Sequence, residues 1–485
     1  MHELKESQLL NLEKLLAVSG EFSNEAGIEL LHHSIDKKTV VLESGHQPNF
    51  IPHAGLWKKM FLLDKLKKSY EYKGIKAVAL FGFADYNLCT SKLLTFNKIP
   101  AYNKLGYEKF GFKIAEKDVW KRFDYLNKPD KNEWEKIIEK IASHYKRSPA
   151  LPDAEVRLSE LNRILDDCYL KARNLSDMNA FFISKISGKL ALDINFFRYS
   201  DIQRKGIFID QWDNIVLNLE KYNYIYNNSI KYHGLDMPLC ANDSLPFWHH
   251  CLCGAKVQLL NNNGNATGQC RLCAAKYKIS MDKLQENFKN MSPNAVARNV
   301  IFSEGMGTQI FVSGAGGGLT YGKISDDLCD KLGFNKPVTI SWKSRDYYIG
   351  PAHTSALNEL AKMCRIKKED LSAADLNQVI LDTKNEIKKK CSTARESGDK
   401  KEMKKYEGEY KNFGTSVAII KSIFDTIPSF IDILVSLETE EIKHCWDQAQ
   451  PDDGKEISIV KDVIYHTEAE RMYIKISGIS IPEND

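Results

Sequence analysis

Apolar residues recur in three different rhythms along the chain. Residues 5–19 carry Leu9, Leu10, Leu12, Leu15 and Leu16, the spacing of an amphipathic helix. Residues 39–42, Thr-Val-Val-Leu, form a short β-branched run that stops at Ser44 and Gly45, and predict a buried strand. Helical spacing follows over 54–66, through Leu56, Met60 and Leu63. A second apolar run over 77–83 ends in Ala84-Asp85-Tyr86-Asn87. Strand, loop, helix and strand in that order predict a parallel α/β sheet. Further strand-like runs lie at 309–312 and 338–341. Residues 117–178 read as a helical insertion broken near Pro129 and Pro149.

The third rhythm comes late. Ser372 to Asp375 forms a capping-box pattern, and Leu376, Ile380, Thr383 and Ile387 follow it. After Gly398-Asp399, Met403, Tyr406, Tyr410, Phe413, Val417, Ile420, Phe424 and Ile427 alternate three and four apart. Such a seam predicts an antiparallel helical hairpin over 372–427, a coiled coil with enough apolar surface for a homodimer. The lysines from Lys384 to Lys411 then form its solvated face. The expected fold class is α/β. A Rossmann-like parallel-sheet core with helical insertions spans 1–370, the hairpin 371–437, and a C-terminal segment 438–485.

Composition narrows the function without naming it. The 485 residues hold 68 Lys+Arg and 64 Asp+Glu, and 68 − 64 leaves +4. So small a net charge does not point to a nucleic-acid or membrane-surface protein. With 43% hydrophobic and 27% charged residues the chain is of ordinary globular make-up, which excludes global disorder. The most apolar late stretch, 417–437, is broken by Lys421, Asp425, Pro428 and Asp432, so no membrane span is expected. The charged start, with no visible targeting segment, and the scattering of seven of the eleven cysteines suit a reducing cytoplasm.

The other four cysteines carry chemistry. Cys251-Leu252-Cys253, sixteen residues, and Cys270-Arg271-Leu272-Cys273 place two thiolate pairs on either side of a turn at 261–265. That pattern predicts a zinc ribbon over 246–279 with one structural Zn²⁺ on Cys251, Cys253, Cys270 and Cys273. The first pair is Cys-x-Cys, so His250 is an alternative to Cys251. The ribbon holds Lys256, Arg271, Lys276 and Lys278 and no acid, which keeps nucleic acid as a minor alternative.

The second candidate is the loop after the first strand, Gly45-His46-Gln47-Pro48-Asn49-Phe50-Ile51-Pro52-His53. Ligands bind at the carboxyl ends of parallel strands, glycine permits close backbone approach, and a helix N-terminus attracts anions. Its Pro-His-x-Gly is similar to the histidine signature of class I nucleotidyltransferases and aminoacyl-tRNA synthetases. Asp85, at a strand's end, is placed to bind an amino group or act as a base. Asn294 and Arg298 lie one helical turn apart, suited to an anion or a ribose.

Three segments in order resemble the bacillithiol synthase family of cysteine-adding enzymes. They are Ser44-Gly45-His46-Gln47-Pro48, then 81–87 ending in Asp85-Tyr86-Asn87, then Ser292-Pro293-Asn294 through Arg298 with Gly314-Ala315-Gly316-Gly317-Gly318-Leu319-Thr320-Tyr321. Where the family has Gln, Asp-His-Asp and Glu, this chain has His46, Asp85 with Asn87, and Gly318; the ribbon is an insertion. The first loop also looks like that of the WbqC-like family.

The resemblance implies a ligase joining the carboxyl of cysteine to the amine of an amino-sugar conjugate, in the synthesis of a low-molecular-weight thiol. It also implies a coiled-coil dimer. Amide formation needs an activated carboxyl, so ATP or another nucleotide is inferred. His46, His53 and Asp85 are then the expected catalytic residues. Gln47, Asn49, Asn87, Asn294, Arg298 and Tyr321 would bind substrate. Gly45, Gly314, Gly316, Gly317, Gly318 and Lys323 would bind the cofactor. The alternatives are another nucleotidyltransferase-like enzyme and a non-catalytic assembly protein built around the ribbon.

Overall fold

A computed structural model describes residues 3–101, 103–147, 154–314, 317–343, 345–366, 376–449, 458–459 and 462–466. Helix α1 (Glu6–Ala26) buries Leu12, Leu15, Val18 and Phe22 and leaves Leu10 in solvent. Strand β1 (Val40–His46) leads through the loop into helix α2 (Gly55–Tyr72) and strand β2 (Ala77–Phe83). Both strands pair in parallel over their full length, Val40 against Ala77 to His46 against Phe83. Asn195–Arg198 extends the sheet beyond β2; Ile310–Gly314, Val338–Trp342 and Ser458–Ile459 extend it from the other edge of β1.

Numbered along the chain, the six parallel strands lie in the order 3-2-1-4-5-6. The order reverses between β1 and Ile310–Gly314, and there the connections leave to opposite faces of the sheet. A crevice opens at their carboxyl ends, the place where doubly wound sheets hold ligands. The faces of the sheet are covered by two apolar clusters. One joins α2 to the helix Leu175–Lys189 and to 430–446; the other joins α1 to 197–230 and 295–306.

Two elements of the sheet were not legible beforehand. Asn-Phe-Phe-Arg at 195–198 is too short to show a period, and Ser458–Ile459 is two residues long. The C-terminal part thus completes the core, and Val463–His466 also pairs in parallel with Asp346–Ile349. The helical insertion carries a β-hairpin before it, Phe96–Pro100 with Tyr107–Gly111. Its last helix, Leu175–Lys189, is buried against α2.

The ribbon is a five-stranded antiparallel sheet rather than a bare hairpin. Ser244–His250, Lys256–Asn262, Asn265–Gln269 and Lys276–Ser280 follow one another, and Met291–Pro293 closes the far edge beside Ser244–His250.

Helices Leu376–Glu396 and Lys400–Asp425 fold back on each other across Ser397-Gly398, with the Asp399 carboxylate accepting from the N–H groups of Lys401 and Glu402. The expected capping box at 372–375 lies outside the described residues. The seam is not that of a two-helix coiled coil. Helix Pro351–Cys364 packs Ala356, Leu357 and Leu360 against Ile419, Ile420 and Ile423. A third helix of the same chain therefore covers the lower half of the seam, and only Ile427, past the helix end, is left 61% exposed.

Candidate functional site

A cavity of about 720 Å³ occupies the crevice where the strand order reverses. Gly45 and His46 reach it from the end of β1, Ser313 and Gly314 from the neighbouring strand, and Trp342 from the next. The loop after β1 returns His53 and Gly55 to the same wall, at the N-terminus of α2.

The two imidazoles stand edge to face, their centroids 6.4 Å apart. Nδ1 of His46 is 2.8 Å from the carbonyl oxygen of Gln47. Nδ1 of His53 is buried and meets no hydrogen-bond partner among the described residues. Burial, and then the charge of Lys59, hold His46 down at about 3 and His53 at about 4. Both rings are therefore neutral at pH 7. They can exchange hydrogen bonds with a bound group but do not supply an imidazolium charge.

Positive charge comes instead from Arg298, which the sequence pointed to, and from four residues it did not single out. Lys58, Lys59, Arg298, Lys343 and Arg345 line the cavity, and among the described residues Asp346 is its one carboxylate. Lys58 and Lys59 lie in the first turns of α2, buried in the run Leu-Trp-Lys-Lys-Met-Phe-Leu-Leu. Two adjacent lysines within an apolar helical stretch were the signal available.

Nζ of Lys59 donates to the carbonyl of Gly45 at 2.9 Å and lies 5.6 Å from the centre of the Phe81 ring. Burial, and then Arg298, lower its ammonium to about 7. Lys58 is neutralised by Asp346 at 2.8 Å, with both side chains no more than 5% exposed. Asp346→Asn would remove the counter-charge that Asp346 supplies to the buried Lys58 ammonium. The variant is expected to lose about 3 kcal/mol or more of stability, read as a lower denaturant midpoint. An unchanged midpoint would show that the other partners of the ammonium, among them the Trp342 ring 5.1 Å away, suffice.

Arg298 enters through a short sequence device. Ser292-Pro293 ends the ribbon's edge strand, and Asn294 starts the helix Ala295–Met306. The Asn294 amide oxygen accepts from the Ala297 N–H at 2.8 Å, so this residue caps the helix rather than facing the cavity. Arg298, one turn on, reaches the cavity with its guanidinium 4.8 Å over the Tyr199 ring. Tyr199 also presses on β1 and β2: a Cβ at Gly45 or at Gly82 would strike its ring or hydroxyl. Gly45 thus makes room for a tyrosine of the protein itself.

Of the residues expected at the site, Gly45, His46, Gln47, His53, Arg298, Gly314 and Tyr321 line this cavity. Others do not, for physical reasons. Asn49 is buried beneath the loop. Asp85 is buried, 1% exposed, and takes hydrogen bonds from the backbone N–H and the hydroxyl of Ser200. Burial first, and Asp124 second, raise its carboxyl to about 7. Asn87 sits in the turn after β2, its carbonyl accepting from the Phe123 N–H. Lys323 is exposed on the helix Gly317–Leu332, away from the cavity. Gly317 and Gly318 open that helix, directly after the strand end at Gly314; Gly316 lies outside the described residues.

The four ribbon cysteines form a second centre. All four sulfurs lie within 4.8 Å of one another. Cys251 stands 3.4 Å from both Cys253 and Cys273, and Cys253 stands 3.6 Å from Cys270. Four thiolates about 2.3 Å from one tetrahedral ion stand roughly 3.8 Å apart, so the set fits a metal ion. Cys251 belongs to it and His250 does not; the His250 ring turns toward Tyr86, 6.3 Å away.

No family model and no curated protein matches the chain. Among solved structures, a Campylobacter jejuni protein assigned as an arginyl-tRNA synthetase aligns over 90% of this chain and 98% of its own, at 10% identity and a TM-score of 0.27. The arginyl-tRNA synthetase of Thermus thermophilus aligns over 90% of this chain and 79% of its own, at 11% identity and the same TM-score. At that TM-score neither likeness bears on this chain's activity.

Proposed function

We propose that the chain is a bacillithiol-synthase-like ligase that joins the carboxyl of cysteine to the amine of an amino-sugar conjugate. The observation that carries this reading is the cavity itself. A crevice at the switch point of a doubly wound sheet sets, among the described residues, five cationic side chains against one carboxylate, with a lysine lowered to about 7 in its lining. Such a site suits an anionic substrate and a proton transfer near neutral pH.

Arg298 and the N-terminus of α2 would hold carboxylate or phosphate groups. Neutral His46 and His53 would orient the acyl group by hydrogen bonds. Gln47 and Tyr321 would contact the amino-sugar portion. Lys59, in its amine form, would take the proton from the attacking nitrogen as the C–N bond forms and the activating group leaves. ATP would supply the activation of the carboxyl. Zinc is our assignment for the cysteine centre, as a closed four-thiolate site with a structural role.

Deletion of the coding sequence is expected to deplete a low-molecular-weight thiol and to accumulate its amino-sugar precursor, measured by metabolite profiling. Unaltered thiol and precursor pools would overturn the assignment. His53→Ala is expected to lower turnover about 10²-fold through loss of one hydrogen-bonding group, with melting nearly unchanged. Equal turnover would remove His53 from the chemistry.

A homodimer through the helical hairpin remains part of the proposal, as does a cytoplasmic location. None of the helices searched among the described residues is long and apolar enough to cross a membrane. Light scattering should give twice the chain mass, and changing both Tyr410 and Val417 to Lys should halve it. A monomeric unmodified protein would overturn the dimer and mean that helix Pro351–Cys364 is cover enough for the seam.

A further inference from the structure

A second cavity, of about 760 Å³, lies on the ribbon sheet and is separate from the crevice in its lining. Its floor follows from strand alternation. On Lys256–Asn262, Val257 and Leu259 point into the core, so Lys256, Gln258 and Leu260 point the other way. The register carries that outer face across the sheet. Trp248 pairs with Gln258, Thr267 with Leu260, and Lys276 with Gln269, and all six line the cavity.

Trp120, 44% exposed on the short helical turn Glu116–Trp120, also lines the cavity, from outside the sheet. The Arg271 guanidinium, from between the last two cysteines, lies 6.0 Å from the centre of its ring. Lys256 lies 5.0 Å from the Tyr86 ring and 5.6 Å from that of Trp248.

The chemistry of this surface is one-sided. Lys256, Arg271 and Lys276 line it with Trp120, Trp248 and Tyr277, and its lining among the described residues holds no carboxylate. None of the three cations has an ion pair among the described residues. A sheet face left open to solvent and equipped only to scaffold the metal would be expected to interleave both signs of charge. Flat aromatic surfaces interleaved with unpaired cations match a ligand that is itself flat at one end and anionic at the other.

We propose that the open face of the ribbon sheet binds nucleotides, with a base between Trp120 and Trp248 and its phosphate on Arg271 and Lys276. The ligand is a free nucleotide or an unpaired nucleotide of a single strand, two sources of one chemistry. The proposal stands apart from the ligase reading, because no residue of the first cavity enters it.

The test uses the full-length, metal-loaded protein and two probes, ATP and a fluorescein-labelled ten-nucleotide single-stranded RNA. Binding is measured by calorimetry and by anisotropy for the unmodified protein, Trp120→Ala, and the double variant Arg271→Glu, Lys276→Glu. Metal content and melting temperature serve as folding controls. Each variant is expected to weaken binding tenfold or more with both controls unchanged.

RNA binding that exceeds ATP binding and falls steeply with salt would assign the strand as the source. ATP binding of equal strength would assign the free nucleotide. Binding of ATP that neither variant weakens belongs to the other cavity and overturns the proposal, as does no binding of either probe. RNA binding that the charge variant abolishes and Trp120→Ala leaves intact would also overturn it, since charge alone would then be at work.

Discussion

Cys270→Ser is expected to release the metal and melt the ribbon tip while leaving the parallel sheet folded. The tip has almost no core of its own: Cys251, Ala255, Val257 and Cys270 are its buried residues, and two of them are ligands. So small a cluster cannot offset the conformational entropy of the loops it joins. Binding of a structural zinc is worth about 10 kcal/mol or more in small four-ligand sites, and under the proposed zinc assignment that free energy would hold the knuckles together.

The damage should spread along identified contacts. Gly254, at φ +90°, sits against the Tyr125 ring, and its carbonyl accepts from the Arg122 N–H at 2.9 Å. The Tyr125 hydroxyl donates to the Leu252 carbonyl at 2.8 Å. Hydrogen exchange is expected to rise over 251–280 and over 116–125, while β1 and β2 keep their protection. Metal analysis should fall from about one equivalent to none. A variant that keeps its metal, or keeps full protection over 251–280, would show that the four sulfurs do not share an ion.

Lys59→Met is expected to lower turnover by at least about 10²-fold, the usual effect of losing one well-placed acid–base group. Lys59→Arg separates the two roles of this side chain. Arginine keeps a positive charge but cannot act as a base near neutral pH. If Lys59 takes the proton from the attacking amine, Lys59→Arg should lose kcat while KM changes little. If Lys59 serves as a charge alone, Lys59→Arg should keep most of kcat.

The sign of the pH dependence follows from burial. The Lys59 ammonium is lowered to about 7, so the amine form appears as pH rises through 7. The rate should climb through that region and level off above it, and the climb should be absent in Lys59→Arg. Stability runs in the same direction. The unfolded chain keeps the proton up to about 10.4 and the folded chain releases it above about 7, so this group costs stability increasingly as pH falls from 10 to 7. Lys59→Met should therefore melt higher than the unmodified protein at pH 7. A variant with full activity, or with the same rising limb, would exclude Lys59 from the reaction.

The reading of periodicity succeeded where one face of an element meets a continuous core. The runs at 39–42, 77–83, 309–312 and 338–341 all became parallel strands of one sheet. Cys251, Cys253, Cys270 and Cys273 came together because ligand spacing constrains a closed site almost by itself. The late seam was read correctly as two helices folded back on each other, but the third helix packed on it was not foreseen. Helix Pro351–Cys364 takes up Ile419, Ile420 and Ile423, and a heptad pattern states that a face is apolar without naming what covers it.

Placing side chains was harder than placing elements. Asp85 and Asn294 follow elements that end near the crevice, as expected, but Asp85 spends its oxygens on the N–H and hydroxyl of Ser200, and Asn294 on the Ala297 N–H. A short polar side chain at an element's end can cap or can bind, and the sequence pattern is the same for both. Lys58 and Lys59 show the converse. In sequence they look like breaks in an apolar face. Only packing against the sheet reveals that the break faces the carboxyl ends of the strands, where removal from water gives each lysine a counter-charge or a lowered pKa.

What the sequence determined by itself is thus local: which segments are strands or helices, where the metal ligands cluster, and which loop follows the first strand. The strand order, the crevice where it reverses, and the identity of the charges inside it were decided by tertiary structure. The reason is that strand order depends on which edge each crossover returns to, and a lowered pKa depends on water excluded by residues far apart in the chain.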